Sequence, residues 1–286
     1  MSDVATSLRT LAVGQEFKLC CLVKTHDVKV TGTGKAFVSA VLADVDCQAE
    51  AVQWDPAETD VAAYTSPSDV VEIHGKVGTY KNKMQLTIDS IRSVPMEQVD
   101  WAKVLPVCPR SEESLVKWLD ECLKLLKPPM LGMVQQVTAD QSFRYCPAAS
   151  VMHHAYVHGL LEHTVDVARI VVNMACRGGF DLQIALAGAL LHDVGKIYEY
   201  SMTGRRLPAA KTLGHSLMGC QVVSGVAGMH AVPADVQSAI CHIIASHHGR
   251  REWGAVVEPA TKEAWLVHAA DLIDAKLACA DTSVQE

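Results

Sequence analysis

Seven side chains in the C-terminal half of this 286-residue chain have the types and spacing for metal chemistry: His163, the doublet His192-Asp193, His215, the pair His247-His248, and Asp271. Nearly all lie in apolar stretches of helical character, where an unsatisfied polar group costs roughly 2–7 kcal/mol. Imidazole nitrogen together with carboxylate oxygen suits borderline to hard divalent ions such as Mn, Fe, Co or Zn, whereas structural zinc sites usually include thiolates. None of the ten cysteines forms a Cys-x-x-Cys pair. A single core histidine is more often hydrogen-bonded than metal-bound. That ordinary reading is kept for His268, expected at most to support a ligand, and for His153, His154 and His158, expected as surface histidines at a helix start. For the seven taken together, two histidine-containing doublets would have to converge by accident.

The elements that must position them follow from periodicity. Leu160, His163, Val167, Ile170 and Met174 recur at steps of three or four, which puts His163 on the inward face of a helix within 153–175. Ile184 to Leu191 reads as a helix buried nearly all round, running into His192-Asp193 before Gly195 ends it. A carboxylate so close to a core needs a cation or several donors. A further helix between Pro259 and Ala280 is expected to carry Trp265, Val267, Asp271 and Ala275 near one inward face.

The order His163, His192-Asp193, Asp271 resembles that of the HD-domain metal-dependent phosphohydrolases, and His-Asp-Val-Gly-Lys at 192–196 fits their His-Asp-x-Gly-Lys form. Longer strings narrow the resemblance: Pro147-Ala-Ala, His153-His-Ala-Tyr, Gly159-Leu-Leu-Glu-His163-Thr, Gly214-His215, and Ser246-His-His-Gly249 followed by Glu252-Trp-Gly254. Together they resemble the YhaM type of 3′–5′ exoribonuclease, an N-terminal OB-fold joined to an HD domain, over nearly the whole chain. His158 departs from it, since such proteins commonly have glycine there. The resemblance implies that His163, His192, Asp193 and Asp271 hold one divalent ion, that His215, His247 and His248 surround a second, and that Asp193 bridges them. Direct binding by both histidines of the pair stays open. HD proteins without counterparts of His215 and the pair usually hold one ion, so two are expected, Mn2+ first, with Fe, Co, Zn or Mg as alternatives. Paired ions lower the pKa of bound water and neutralise phosphoryl charge. Attack at phosphorus then releases nucleoside 5′-monophosphates from single-stranded RNA or DNA, with Asp193 and Lys196 as the catalytic residues and Lys196 steadying the scissile phosphate.

Five alternating runs between about Gly14 and Val94 read as strands: Phe17 to Val23, Ala36 to Leu42, Cys47 to Trp54, Val70 to Val77 and Met84 to Ile91. With a short helical piece near Pro56 to Ala63 they suit a small Greek-key barrel, which the resemblance narrows to an OB-fold. The expected organisation is multidomain: an all-β OB-fold barrel over 1–94, a linker over 95–111 carrying Pro95, Pro106 and Pro109, and an all-α HD domain over 112–286. Ser111-Glu-Glu-Ser114 opens that domain's first helix, with Leu115, Trp118, Leu119, Cys122 and Leu126 on one face.

On the barrel, Tyr80, Lys81 and Lys83 are expected as a strand-binding loop, because aromatic rings stack on bases irrespective of sequence while lysines follow phosphates. Lys35, Phe37 and Trp54 are further candidates, although Phe37 and Trp54 equally suit the barrel core. Arg144, Arg250 and Arg251 flank the proposed site in sequence and are candidates for gripping the nucleic-acid backbone. A formal net charge of −7 excludes indiscriminate polyanion binding by the whole surface, but not a local groove. Irregularly spaced cysteines and the absence of a leader-like or membrane-length apolar run suit a soluble protein of the reducing cytoplasm, with no membrane partner. Two alternatives stay open: a phosphohydrolase of small nucleotides or cyclic dinucleotides, and a non-catalytic RNA-binding protein with structural metals. The barrel favours strand cleavage, since a mononucleotide enzyme has no evident use for a strand-binding groove. Oligomeric state is not legible.

Overall fold

Alternating burial along five segments builds the N-terminal part of the computed structural model, which describes residues 7–65, 69–149, 154–201 and 204–283. The strands are β1 (Glu16–Val30), β2 (Ala36–Ala43), β3 (Gln48–Trp54), β4 (Val70–Tyr80) and β5 (Lys83–Ser93), and helix α1 (Glu58–Ala63) lies between β3 and β4. They close into a barrel in the order β1-β2-β3-β5-β4, with β4 returning to β1. Every pairing is antiparallel except β3 with β5. This is the five-stranded Greek-key closure of an OB-like barrel. Long β1 serves two neighbours: its first half pairs with β4, its second with β2, and a register shift between Val23 and Thr25 bends it from one to the other. Inward residues such as Phe17, Leu19, Val38, Leu42, Ile73 and Leu86 fill the interior. Lys81 and Asn82 join β4 to β5 with successive positive φ angles of 49° and 64°, the mark of a two-residue type I′ hairpin turn.

The chain divides into two compact units, Met1–Val107 and Cys108–Glu286. Most of the proline-bearing stretch 95–111 therefore falls in the first unit. It carries a 3-10 turn at Met96–Gln98 and the one-turn helix α2 (Trp101–Val104), whose Trp101 and Val104 are buried, and the Lys103 carbonyl accepts from the Val45 N–H at 3.2 Å.

The second unit is helical: α3 (Glu112–Leu123), α4 (Met130–Thr138), α5 (Gln141–Tyr145), α6 (Gly159–Ala175), α7 (Leu182–Leu191), α8 (Lys196–Glu199), α9 (Gly214–Ala227), α10 (Ala234–Ser246) and α11 (Lys262–Ser283). Ser111 caps α3, its hydroxyl accepting from the Ser114 N–H, and the Asp181 carboxylate caps α7 through Gln183 and Ile184. Helix α7 is buried from Ala185 to Leu191 and packs against α4, α6, α10 and α11. Its Gly188 allows close approach of α10, since a Cβ there would lie 2.5 Å from Ile243 Cδ1.

Four sequence expectations about helix faces and ends need correction. Trp265 is 55% exposed rather than inward. Residues two apart on a helix point to nearly opposite sides, so Trp265 cannot share a face with buried Val267; Ala264, Val267, Ala270 and Asp274 turn inward instead. Met174 and Trp118 likewise lie at the exposed margins of their helices. Finally, Gly195 does not end α7, which stops at Leu191; its backbone is right-handed, and its function is steric. A Cβ at 195 would lie 1.9 Å from the His215 carbonyl oxygen and 2.7 Å from the Gly219 nitrogen on α9.

Candidate metal centre

His163 comes from α6, His192 and Asp193 from the turn after α7, His215 from the first turn of α9, His247 and His248 from the end of α10, and Asp271 from α11. The fold brings all seven together in two adjoining groups. In the first, His163 Nε2 lies 3.1 Å from His192 Nε2, 3.2 Å from Asp271 Oδ1 and 3.4 Å from Asp193 Oδ2. In the second, His215 Nε2 lies 3.4 Å from His247 Nε2, each is 3.5 Å from Asp193 Oδ1, and His248 completes the set with its ring centroid 4.1 Å from that of His247. For metal–ligand bonds of about 2.1 Å, neighbouring donors lie about 3.0 Å apart around an octahedron and about 3.4 Å apart around a tetrahedron. The observed separations match such edges. Asp193 turns one oxygen to each group, and its buried Oδ1 has no hydrogen-bond partner among the described residues.

The tautomers point the same way. His192 Nδ1 donates to the Ala189 carbonyl at 2.8 Å, His247 Nδ1 to the Ile244 carbonyl at 2.7 Å, His163 Nδ1 to Asp274 Oδ2 at 2.6 Å, and His215 Nδ1 to Glu199 Oε2 at 2.5 Å. Each neutral ring is thereby left with a lone pair on Nε2, and the lone pairs of His163 and His192 face each other. Such a contact requires a shared proton or a cation.

Electrostatics agrees. Burial opposes the ionised form of Asp193, but Lys196, with its ammonium 2.6 Å from Oδ2, and the His192 and His163 rings hold the carboxyl well below its ordinary range. Asp271 is likewise held low, chiefly by His163, against the effect of burial. Burial would lower His163, yet Asp193, Asp271 and Asp274 raise it well above the usual imidazole value. Burial and the neighbouring rings of His247 and His215 hold His248 at about 3, so it stays neutral. The ionised carboxylates and neutral His248 are the protonation states a divalent cation needs, whereas His163, held protonated by its three carboxylate neighbours, would give up its Nε2 proton to one.

An outer layer of partners escaped the sequence reading. Asp274 bonds both His163 and His154; it follows Asp271 by three residues on α11, a spacing that could have exposed it. Glu199 joins His215 to Arg206. His154 is buried rather than superficial, with Nδ1 3.0 Å from Glu162 Oε2 and Nε2 3.0 Å from Asp274 Oδ2. Glu162 also accepts from Tyr156 and from Arg110, which pairs in turn with Asp166. No sequence signal links Arg110 to residues more than fifty positions away. His158 is also buried and has a left-handed φ of 69°, which explains why glycine suits the position; here the ring compensates by donating from Nδ1 to the Arg144 carbonyl at 2.8 Å. His153 lies outside the described residues. His268 donates from Nδ1 to the His247 carbonyl at 2.7 Å, a supporting contact as expected.

Of the expected nucleic-acid contacts, Tyr80 is 56% exposed at the β4–β5 turn, with the Lys81 ammonium 5.3 Å from its ring centroid, and Lys83 is exposed. Trp54 is 54% exposed and Phe37 half-buried; they pair across β2 and β3 with ring centroids 5.0 Å apart, so neither belongs to the barrel core. Lys35 is exposed in the β1–β2 loop. Arg144 is half-buried at the end of α5, and its Nε has no partner among the described residues. The next residue but one, Cys146, contacts the Lys196 carbonyl. Arg250 and Arg251 are exposed beside His248.

A model of the HD domain family matches residues 160–276. The chain is 30% identical over 272 residues to a protein of Oceanobacillus iheyensis named 3′–5′ exoribonuclease YhaM, covering 93% of this chain and 86% of that one. It is 28% identical over 280 residues to the protein of that name from Bacillus subtilis, covering 96% and 89% respectively. Among solved structures, a domain of replication protein A from Methanococcus maripaludis is similar at 16% identity and a TM-score of 0.23, covering 30% of this chain and 89% of that one. No helix among the described residues is long and apolar enough to cross a membrane.

Proposed function

This chain belongs to the YhaM family of 3′–5′ exoribonucleases, and from that premise we propose that it is a metal-dependent hydrolase that removes nucleotides from the 3′ end of single-stranded RNA, and of DNA. The observation that carries this reading is the Asp193 carboxylate, buried between two groups of imidazoles, with one oxygen toward each and no partner for Oδ1 among the described residues. His163, His192, Asp193 and Asp271 would hold one divalent ion, and His215, His247 and His248, with Asp193, a second; Mn2+ suits this mixed nitrogen and oxygen set. When bound, such ions supply Lewis-acid neutralisation of phosphoryl charge and a water of lowered pKa.

The protein's own part is positioning. Nδ1 contacts to carbonyls and carboxylates fix four rings. An ammonium has three N–H donors, so the bond from Lys196 to Asp193 leaves others to steady the scissile phosphate. Arg144 and Arg250 would take backbone phosphates near the centre. On the barrel, Tyr80, Lys81 and Lys83 would hold the strand, with Lys35, Phe37 and Trp54 extending that surface; family membership and the exposure of these side chains support the assignment.

Incubation of the protein with 5′-end-labelled single-stranded and duplex RNA and Mn2+ tests the reading. A ladder shortening from the 3′ end of the single strand, with 5′-monophosphates as products, is expected. Intact RNA alongside hydrolysis of a cyclic dinucleotide would replace it by the small-nucleotide reading, and binding without hydrolysis by the structural-metal reading.

A further inference from the structure

Two tryptophans stand beside the metal centre with half their surface in water, Trp253 at 53% and Trp265 at 55% exposed. Both rings flank His268, at centroid distances of 6.3 and 5.8 Å, and His268 in turn donates to the backbone of His247. The loop that carries Trp253 is pressed onto the same groups. A Cβ at Gly249 would lie within 2.3–2.8 Å of the His268 ring, and one at Gly254 would lie 3.0 Å from His248 Nδ1. Both glycines have positive φ, so the tight turn depends on them. Between this loop and α11 lies a cavity of about 320 Å3 lined by Gly249, Arg250, Arg251, Glu252, Glu258 and Trp265. The Arg250 guanidinium sits 5.2 Å from the Trp253 ring centroid.

The chemistry of this cleft is mixed. Two guanidiniums, one of them 3.4 Å from the Glu252 carboxylate, suit phosphate, two carboxylates would repel an isolated anion, and the exposed indole of Trp265 in the cleft wall, with that of Trp253 on the adjoining loop, suits a flat, weakly polar ring. A nucleotide within a strand satisfies all three: its base stacks on indole or guanidinium planes, its N–H and O–H donors meet carboxylates, and its flanking phosphates meet arginines. Exposed indoles next to a catalytic centre are also the usual composition of a recognition surface rather than of a solvated one. We propose that this cleft is a nucleobase subsite, in which Trp265 in its wall and Trp253 on the loop that borders it stack bases of the single strand whose end lies at the metal centre, with Arg250 and Arg251 on the adjoining phosphates. This rests on the strand-cleaving reading above and adds two binding residues to it.

The test uses the full chain, a short single-stranded RNA of mixed sequence, and Trp→Ala and Trp→Phe variants at 253 and 265, with Trp118→Ala on α3 as a control tryptophan. Binding is measured with EDTA present and turnover with Mn2+. Each alanine variant should weaken RNA binding by about ten-fold, the scale of one stacking interaction, with a matching rise in KM. The double variant should lose more, the phenylalanine variants should keep most of the parent's affinity, and Trp118→Ala should match the parent. Because each ring has half its surface packed against the fold, beside His268, the phenylalanine variants and a denaturant unfolding curve for every variant separate lost stacking from lost packing. If the parent cleaves RNA while the double alanine variant keeps its affinity and KM, the subsite is overturned and the strand-cleaving reading stands. If the parent leaves single-stranded RNA intact, both are overturned.

Discussion

The two surfaces assigned to nucleic acid are built on opposite plans. At the metal centre His163, His192, Asp193 and His247 are buried and His215, His248 and Asp271 partly so, and four of the histidines have their second nitrogen engaged by a carbonyl or a carboxylate. At the β4–β5 turn, Tyr80, Lys81 and Lys83 project into water. Chemistry at phosphorus needs donors held to a few tenths of an ångström, which only a packed interior with an outer layer of partners provides. Holding a strand irrespective of sequence needs only charge and exposed rings, and tolerates motion. Substitutions in the first region should therefore act sharply and through metal binding, and those in the second gradually and through salt.

Asp193→Asn is the strongest break. It keeps the shape but removes the charge offered to both groups, so metal content should fall below the parent's and RNA hydrolysis by more than the roughly 100-fold that loss of an outer partner costs. Elemental analysis and single-turnover assays would read this; parental metal content and turnover in the folded variant would place the metals elsewhere. Next come Asp274→Asn and Glu199→Gln, each of which removes the carboxylate behind one imidazole. Mn2+ affinity should drop by roughly 10- to 100-fold in each, with Asp274→Asn weakening the His163 group and Glu199→Gln the His215 group.

A pH effect separates the outer layer from the metals. Burial would raise the Glu162 carboxyl, but hydrogen bonds from His154, Tyr156, Cys108 and Arg110 hold it at about 2, below its ordinary value of 4.5. A depressed folded-state pKa means stability that is present above about pH 4.5 and is lost as pH falls towards 2, amounting to about 3 kcal/mol. Denaturant unfolding of the EDTA-treated protein across that window should show a steeper decline for the parent than for Glu162→Gln, and parallel curves would argue against this network. The smallest effect belongs to the turn: replacing Lys81 and Lys83 by Ala should reduce the salt slope of single-strand binding by about 0.7 for each phosphate no longer neutralised. Tyr80→Ala should weaken binding at every salt concentration without changing the slope. A double lysine variant with the parental slope would move the strand-holding surface to the arginines of the helical unit.

The same contrast decides what could be read in advance. Strands declared themselves where one face is buried, since period-two alternation records that directly; four of the five runs and the α1 segment lie within a few residues of their expected places, whereas β1 runs seven residues past its expected end, to Val30, through a half with no buried face to give alternation. That the seven imidazole and carboxylate residues converge was legible because several such groups set in apolar helices are seldom satisfied apart from one another. The partners behind them were not. Arg110 meets Glu162 only through the fold, and Glu199 reaches His215 from a helix of a single turn. Burial of His154 and His158 was missed because clustered histidines near a helix start look solvated until carboxylate and carbonyl partners are known. Trp265 was misplaced by a pattern that set residues two apart on one helical face.

Gly195 bears on how far this centre can be altered. With only hydrogen on its Cα, the turn that carries Asp193 and Lys196 rests on the backbone of α9 at His215 and Gly219. Nothing compressible lies between the two. At Gly132 or Gly188 an added methyl would meet a neighbouring side chain, but at 195 it would meet a carbonyl oxygen and an amide nitrogen that cannot rotate away. Even alanine would have to lift α9 bodily, widening the gap between Asp193 and His215. The distance between the two halves of the centre is thus set by backbone thickness, like a machined spacer with no adjustment. Engineering that seeks a different ion size would have to exchange ligands and leave that gap alone.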